Sequence, residues 1–459
     1  MKSSPPQRKG CRELSLGCLS AVAASHRRLL NTAVRMKASF ALISETMLEA
    51  EQKLVGSGVI GVGGTCLQAA EATTEELSGR TIENALRQWE AGHAEFPHAA
   101  VAAHYQAVGR NGVRPHLVDR LRDFHSSNRA NHVLSCWLPM TFDAQNGDYL
   151  SYVGLDYFDR VVRSDDAQRV DAFIAAAAMD LALLEARALA RSAHVPQVAR
   201  VRAATRVVTQ LARLAPAFAL DPAVAAAGLE ALAQPGAEYS SFASVAEPAL
   251  NGVPEEIGIA VRLTLLPTTR LHDEQMFIRC IQIFEGLYRQ VATAISMAIR
   301  DLHNGLAAAA RDRLDQASIR LEAVPALFRV LTTMPVDAFA VIRGFTHGRS
   351  AVQSRAFREV EFACAPLDPR DFEHCPKIDV GEATLQDTYL AMRTTHPDAS
   401  VLEKSMRRLD RAWGAMKRGH WGITLKVIGT VPGTGGTAGA SYLQNAATKS
   451  LFPQLSEVA

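Results

Sequence analysis

Between His272 and Gln290 the apolar residues Phe277, Ile281, Phe284 and Tyr288 recur every three or four positions, joined by Cys280 and Leu287. That is the period of an α-helix with one apolar face, and it does not suit a strand. Asp273 and Glu274 stand in its first turn, where negative charge complements the helix dipole. The pattern continues to Ile299 and returns from Ile319 to Leu331. Phe173 to Ala190 and Val201 to Ala219 are long alanine-rich stretches of the same kind. Alanine favours helices, and aromatics, which favour strands, make up only 6% of the chain. The expected fold class is all-α, a helical bundle with an additional, largely helical N-terminal region.

At 459 residues the chain is long enough for two or more cores. Three regions are expected. Residues 1–145 mix helical segments with a glycine-rich loop, residues 146–230 are alanine-rich and helical, and residues 231–459 carry the recognisable chemistry. A linker is expected near Gln234-Pro235-Gly236. Two echoes suggest a degenerate duplication: Gly61-Val62-Gly63-Gly64-Thr65 against Gly433-Thr434-Gly435-Gly436-Thr437, and Phe173 to Pro222 against Phe277 to Pro335. A formal net charge of +2 gives no field of the kind that gathers nucleic acid. No run reaches the roughly 18 apolar residues of a membrane span. The stretch Met1 to Arg28 is basic and then mildly apolar. Glu13 interrupts it and Leu14 to Ala24 is short, so it reads as a disordered start rather than a secretory signal. The seven cysteines are scattered without a pairing pattern, as expected of reduced thiols in the cytoplasm.

Several motifs are incomplete. Gly56-Ser57-Gly58-Val59-Ile60-Gly61 fits a dinucleotide loop, but Glu45 to Leu54 before it reads as helix where a strand is required. His132 and Cys136 lie one helical turn apart with no second pair to complete a metal site, and His374-Cys375 has no partner either. Phosphate loops, zinc-protease helices and serine-nucleophile elbows are missing from the sequence.

Three blocks near the C-terminus carry more. The first is the helix beginning His272-Asp273-Glu274, with Phe277 one turn in. The second runs from Phe339 through Arg343 to Ser350-Ala351-Val352-Gln353-Ser354 and Arg358. The third is His420 on an apparent helix, followed fourteen residues on by Thr434 within Gly433-Thr434-Gly435-Gly436-Thr437. Phe339 and Arg343 share a helical face. A guanidinium stays charged and can grip a carboxylate with two hydrogen bonds. The glycines permit close backbone approach to a ligand. Taken singly, a histidine on an apolar helix is usually a core residue and an arginine a surface charge. Their order and spacing lift them above that reading.

In this order the blocks resemble the tryptophan 2,3-dioxygenases, over about residues 238–450. Those are all-helical enzymes that hold a haem by one histidine. The resemblance implies haem b, with His420 as the iron's protein ligand and Gly433 and Gly435 beside it. It implies Arg343 on the substrate carboxylate and Thr434 on its ammonium group. Phe277, Ile281 and Phe339 would enclose the ring, with Ser350 also at the substrate. The family places a histidine where this chain has Ile281, which cannot accept a hydrogen bond from an indole N–H. The related indoleamine dioxygenases also lack it. A further match, Glu238-Tyr239-Ser240-Ser241-Phe242, resembles the family's Tyr, two residues, Tyr, with Phe242 in place of the second tyrosine. In the family those aromatics reach into a neighbouring subunit, so a homo-oligomer, tetramer or dimer, is implied. The partners implied are an aromatic amino acid and O₂, with no nucleic acid and no membrane. The expected function is insertion of O₂ into the indole of tryptophan or a derivative. Two alternatives stand beside it: a monooxygenase of the same superfamily acting on a modified aromatic amino acid, and a non-catalytic haem sensor or helical scaffold.

Overall fold

The computed structural model describes residues 65–129, 131–142, 149–159, 166–191, 195–212, 253–346, 351–366, 383–429, 431–433 and 436–456. Every regular element among them is a helix, so the all-α expectation holds. The chain divides into two units at Ala107/Val108. The domain boundaries expected near residues 145 and 230 fall outside the described residues.

In the first unit, α1 (Thr65–Glu90) and α2 (His98–Val108) are the described elements. Ser78 on α1 hydrogen-bonds the His104 ring on α2 at 3.1 Å. Trp89 meets Phe96 edge-on at 5.1 Å.

The second unit continues with α3 (Pro115–Ser127), α4 (His132–Phe142), α5 (Tyr149–Val153), α6 (Leu155–Tyr157), α7 (Ala167–Arg191), α8 (Val195–Ala212) and α9 (Glu255–Thr264). Then follow α10 (His272–His303), α11 (Ala307–Leu321), α12 (Val324–Leu331), α13 (Val336–Gly344) and α14 (Arg355–Cys364). The last are α15 (Leu385–Met392), α16 (Ala399–Ile428), α17 (Ala440–Thr448) and α18 (Pro453–Ser456). The apolar stretch Ile319–Leu331 is thus two helices rather than one. Pro325 lacks the N–H an interior position needs, and it sits in the first turn of α12 instead.

The 32-residue α10 is the axis of this unit. Helices α5, α7, α11, α12, α13, α14 and α15 all pack on it. Asp273 and Glu274 open it and Arg300 and His303 close it, both ends matched to the dipole. Burial on so many sides encloses polar residues, and each is answered. Arg279 donates to Asp180 of α7 at 2.6 Å and to the Val261 carbonyl of α9 at 2.7 Å. Glu274 accepts from the backbone N–H groups of Thr268 and Thr269, at 2.9 and 2.5 Å. Gln282 donates to the Val153 carbonyl at 2.7 Å. Among the described residues no single helix is long and apolar enough to cross a membrane.

Between α5 and α6 the chain turns at Gly154, whose φ of +74° is left-handed. A Cβ there would lie 2.5 Å from the Thr264 carbonyl oxygen. Gly154→Ala should cost about 1–2 kcal/mol for the backbone conformation and about 1–3 kcal/mol more for pushing α9 away. Denaturant unfolding of the variant would measure this, and a loss under about 1 kcal/mol would contradict the close approach.

Candidate functional site

A cavity of about 900 Å³ opens beside α10 in the second unit. Every expected site residue that the structure describes faces it. Phe277 and Ile281 come from α10, Phe339 and Arg343 from α13, His420 from α16, and Gly433 from the loop after α16. Tyr239, Phe242, Ser350, Thr434 and Gly435 lie outside the described residues.

The Phe277 and Phe339 rings meet edge to face at 5.9 Å, joining α10 to α13 at the cavity wall. One turn beyond Phe339, Arg343 donates a hydrogen bond to the Pro432 carbonyl in the loop after α16. Among the described residues no carboxylate pairs with Arg343. Gly433 closes this loop by donating its N–H to the Thr437 carbonyl at 2.9 Å.

His420 is half-buried, because one side of its ring faces the cavity. The ring stacks on Phe328 at 6.3 Å with an 18° tilt. Gly419 permits this, since a Cβ there would lie 2.8 Å from the Phe328 ring. Phe328 in turn packs on Phe284 at 5.2 Å. Apolar surroundings strip water from the imidazole and push its pKa down to about 4. His420 is therefore neutral at physiological pH, and among the described residues neither ring nitrogen has a hydrogen-bond partner. No group of three or more metal-ligating side chains occurs among the described residues.

Two features were not found from the sequence. Tyr149 and Tyr152 of α5 also line the cavity, next to Phe277 and Ile281. The signal for them exists: they carry the Tyr, two residues, Tyr spacing sought at 239–242, with both tyrosines present. Tyr149 donates its hydroxyl to Glu285 at 2.8 Å and Tyr152 donates to Glu274 at 3.1 Å. Glu285 also faces the cavity. Burial raises its pKa, opposed by hydrogen bonds from Ser354 and Tyr149 and by the charge of Arg289.

The second feature is a charged end, of which only Arg358 belonged to a sequence block. Arg358 donates to Glu361 at 3.0 Å and to the Tyr442 hydroxyl at 2.7 Å. Lys417 donates to the Lys449 carbonyl at 2.7 Å and lies 3.7 Å from Glu361. Burial lowers the Lys417 pKa, against the pull of Glu361 and Asp410.

Fold and site together define a helical protein with a deep, largely apolar cavity, faced by one neutral imidazole and one guanidinium without a carboxylate. Curated proteins are similar to part of this chain. The C-terminal half is similar to proteins named tryptophan 2,3-dioxygenase, as the sequence blocks led us to expect. One from a Nocardioides species is 28% identical, over 40% of this chain and 83% of its own length. One from Anaeromyxobacter sp. (strain K) is 25% identical, over 41% and 87%. One from Herpetosiphon aurantiacus is 24% identical, over 40% and 86%. No protein-family model matches the chain.

The desolvated histidine has a measurable signature. Between pH 6.5 and about 4 the unfolded chain takes up a proton at position 420 that the folded chain does not. Stability from this group is therefore fully present above pH 6.5 and is lost as pH falls through 4. The loss should reach at most about 3 kcal/mol. Unfolding curves of haem-free protein across this window should be less pH-dependent in His420→Leu than in the parent. Equal slopes would contradict the desolvated, neutral imidazole.

Proposed function

We propose that this chain is a haem-dependent oxygenase that inserts O₂ into the indole ring of tryptophan or a tryptophan derivative, giving an N-formylkynurenine-type product. The observation carrying the reading is the convergence of His420, Arg343, Phe277, Ile281 and Phe339 on one cavity, in a chain whose relatives are named tryptophan 2,3-dioxygenase.

The residues present fit a haem. Iron needs a neutral imidazole nitrogen that is not already engaged, and His420 offers one against an apolar wall. At about 900 Å³ the cavity lies at the upper end of the range of ligand pockets, which suits a large flat cofactor beside an amino acid. Bound haem b would supply the O₂ binding and activation that no side chain here can provide.

The chain's own residues bind and orient. Arg343, held to the Pro432 carbonyl on one side, keeps its remaining donors for a carboxylate. Phe277, Phe339 and Ile281 cover the ring and exclude water. On the wall formed by α5 and α10, the Tyr149 and Tyr152 hydroxyls are held by carboxylates and Ile281 is apolar. Ile281 itself offers an indole N–H no acceptor. Homo-oligomeric assembly, a dimer or tetramer, belongs to this reading through the family resemblance. A cytoplasmic setting fits the free, buried thiols of Cys136, Cys280 and Cys364.

His420→Ala should abolish the Soret band of haem-titrated protein while the helical circular dichroism persists. An unchanged band would remove His420 from the site. Arg343 is only half-buried, so Arg343→Leu should weaken tryptophan binding by about 2 kcal/mol, roughly thirtyfold, without changing haem content. Spectral titration should rank tryptophan and 1-methyltryptophan alike and well ahead of tryptamine, which lacks the carboxylate. Equal binding of all three would dismiss Arg343 as the anchor.

A further inference from the structure

Helix α13 carries Phe339 and Arg343, yet little of it is buried. Of its nine residues only Ile342 is enclosed, and Val336 and Val341 are exposed. So small an apolar face gives a helix a shallow hold on the core. Its position must therefore come from its attachments. The Phe277 ring meets Phe339 near its middle, and the Arg343 hydrogen bond to the Pro432 carbonyl ties its far end. The near end follows the turn Thr332-Thr333-Met334, which closes α12 and leads into α13. Leu331 and Met334, on either side of Thr332 and Thr333, both line the cavity.

That turn is gripped from α8. Arg200, a buried residue of α8, donates through Nε to the Thr333 hydroxyl at 2.9 Å and through one terminal nitrogen to the Thr333 carbonyl at 3.2 Å. The same nitrogen donates to Asp273 of α10 at 2.7 Å. The other terminal nitrogen lies 3.7 Å from the Glu185 carboxylate of α7. Glu185 is fully buried and is held in turn by Gln197, one turn before Arg200, which donates to its carboxylate at 2.7 Å. One guanidinium thus joins α7, α8 and α10 to the turn at Thr333. A planar fork with donors in several directions suits that task; a lysine ammonium, a single nitrogen, can answer the carboxylates but not the Thr333 hydroxyl and carbonyl as well. Lys426 of α16 takes the adjoining Thr332 carbonyl at 2.9 Å. Both cations stand at the C-terminal end of α12, where carbonyls lack partners within the helix. The Lys426 contact is exposed to solvent, so the enclosed Arg200 is the firmer of the two.

We infer that Arg200 is a positioning residue of the site: by fixing the turn at Thr333 it sets where α13 presents Arg343 to the cavity. A helix of nine residues is a stiff rod of about 14 Å. With Phe339 held against Phe277 as its pivot, release of the near end swings the end that carries Arg343. The alanine-rich pair α7 and α8, of which no described residue lines the cavity, then has a task in substrate recognition. Arg200 lines no part of the cavity either, so its effect passes through α13 and is selective. The grip on a carboxylate suffers, while His420, carried on α16, keeps its place. The substrate side of the inference rests on the function proposed above; the bracing of α13 does not.

Arg200→Lys tests this, because it keeps a charge between Asp273 and Glu185 and removes the fork. In the haem-loaded full-length protein, spectral titration should show tryptophan binding weakened by about three- to tenfold, the loss of one hydrogen bond's worth of positioning. Tryptamine, which has no carboxylate, should bind as it does to the parent, and haem content should not change. In an Arg343→Leu background the same substitution should weaken tryptophan binding no further. A second pair of variants keeps the test open if Arg200→Lys fails to fold. Thr333→Val removes the hydroxyl that Arg200 meets and should behave like Arg200→Lys, whereas Thr333→Ser keeps it and should bind like the parent. Equal losses for tryptophan and tryptamine, an Arg200→Lys effect that persists without Arg343, or parent-like tryptophan binding in Thr333→Val would overturn the inference. Hydrogen exchange of the full chain gives a reading that needs no substrate. Arg200→Lys, or Thr333→Val in its place, should speed exchange across residues 336–344 and leave α11 and α14 at the parent's rates. Uniform acceleration of all three helices, or none, would contradict the bracing. A parent that binds no tryptophan would sink the proposed function, and the exchange result would still decide whether Arg200 braces α13.

Discussion

Enclosing α10 on nearly every side forces each of its polar side chains to find an answer on another element, and that requirement organises the second unit. An unpaired buried carboxylate or guanidinium costs several kcal/mol, more than a single mutation-sized interaction returns. Arg279 therefore fixes α7 and α9 in place, and Glu274 fixes the chain just before α10. Glu285 draws in both Tyr149 and Ser354. Ser354 also caps α14 by accepting the Phe357 N–H at 3.1 Å. The cap links the α13–α14 block to the same carboxylate that accepts from Tyr149, so the cavity walls share a polar frame while their inner surfaces stay largely apolar.

That frame explains the contrast in charge around the cavity. Around it Tyr149 and Tyr152 are held by Glu285 and Glu274, and Glu361 by Arg358, whereas His420 is neutral and, among the described residues, Arg343 meets only a carbonyl. The largely apolar enclosure thus presents a neutral imidazole and, among the described residues, a guanidinium that no carboxylate pairs. Trp413 and Phe357, 4.8 Å apart, and Tyr288, 5.5 Å from each, form the aromatic packing under the far side of the cavity and stiffen α16, on which His420 rides.

The sequence disclosed what was local. His420 and the glycine loop, Phe339 with Arg343, and Phe277 with Ile281 each sit within one short stretch, so spacing put the two helical pairs on common faces and the order of the blocks carried the resemblance. The helical class was legible from the same periodicity. What joins distant stretches was hidden. The Tyr149–Glu285 hydrogen bond spans 136 residues, and a glutamate within an amphipathic pattern reads as a solvated position until its partner is known. Tyr239 and Phe242, matched to the family's paired tyrosines, lie outside the described residues. The tyrosine pair at 149 and 152 lies farther upstream, separated from α10 by α6, α7, α8 and α9. The break between α11 and α12 was missed for a different reason: apolar periodicity carries across a proline, while the hydrogen-bond ladder does not.

The central claim is that these walls serve oxygen insertion into an indole. Mass spectrometry of the product formed from tryptophan by the haem-loaded chain under ¹⁸O₂ tests it most directly. The account predicts a ring-opened product carrying both labelled atoms. Recovery of unlabelled tryptophan alone, or a product with a single labelled oxygen, would contradict it.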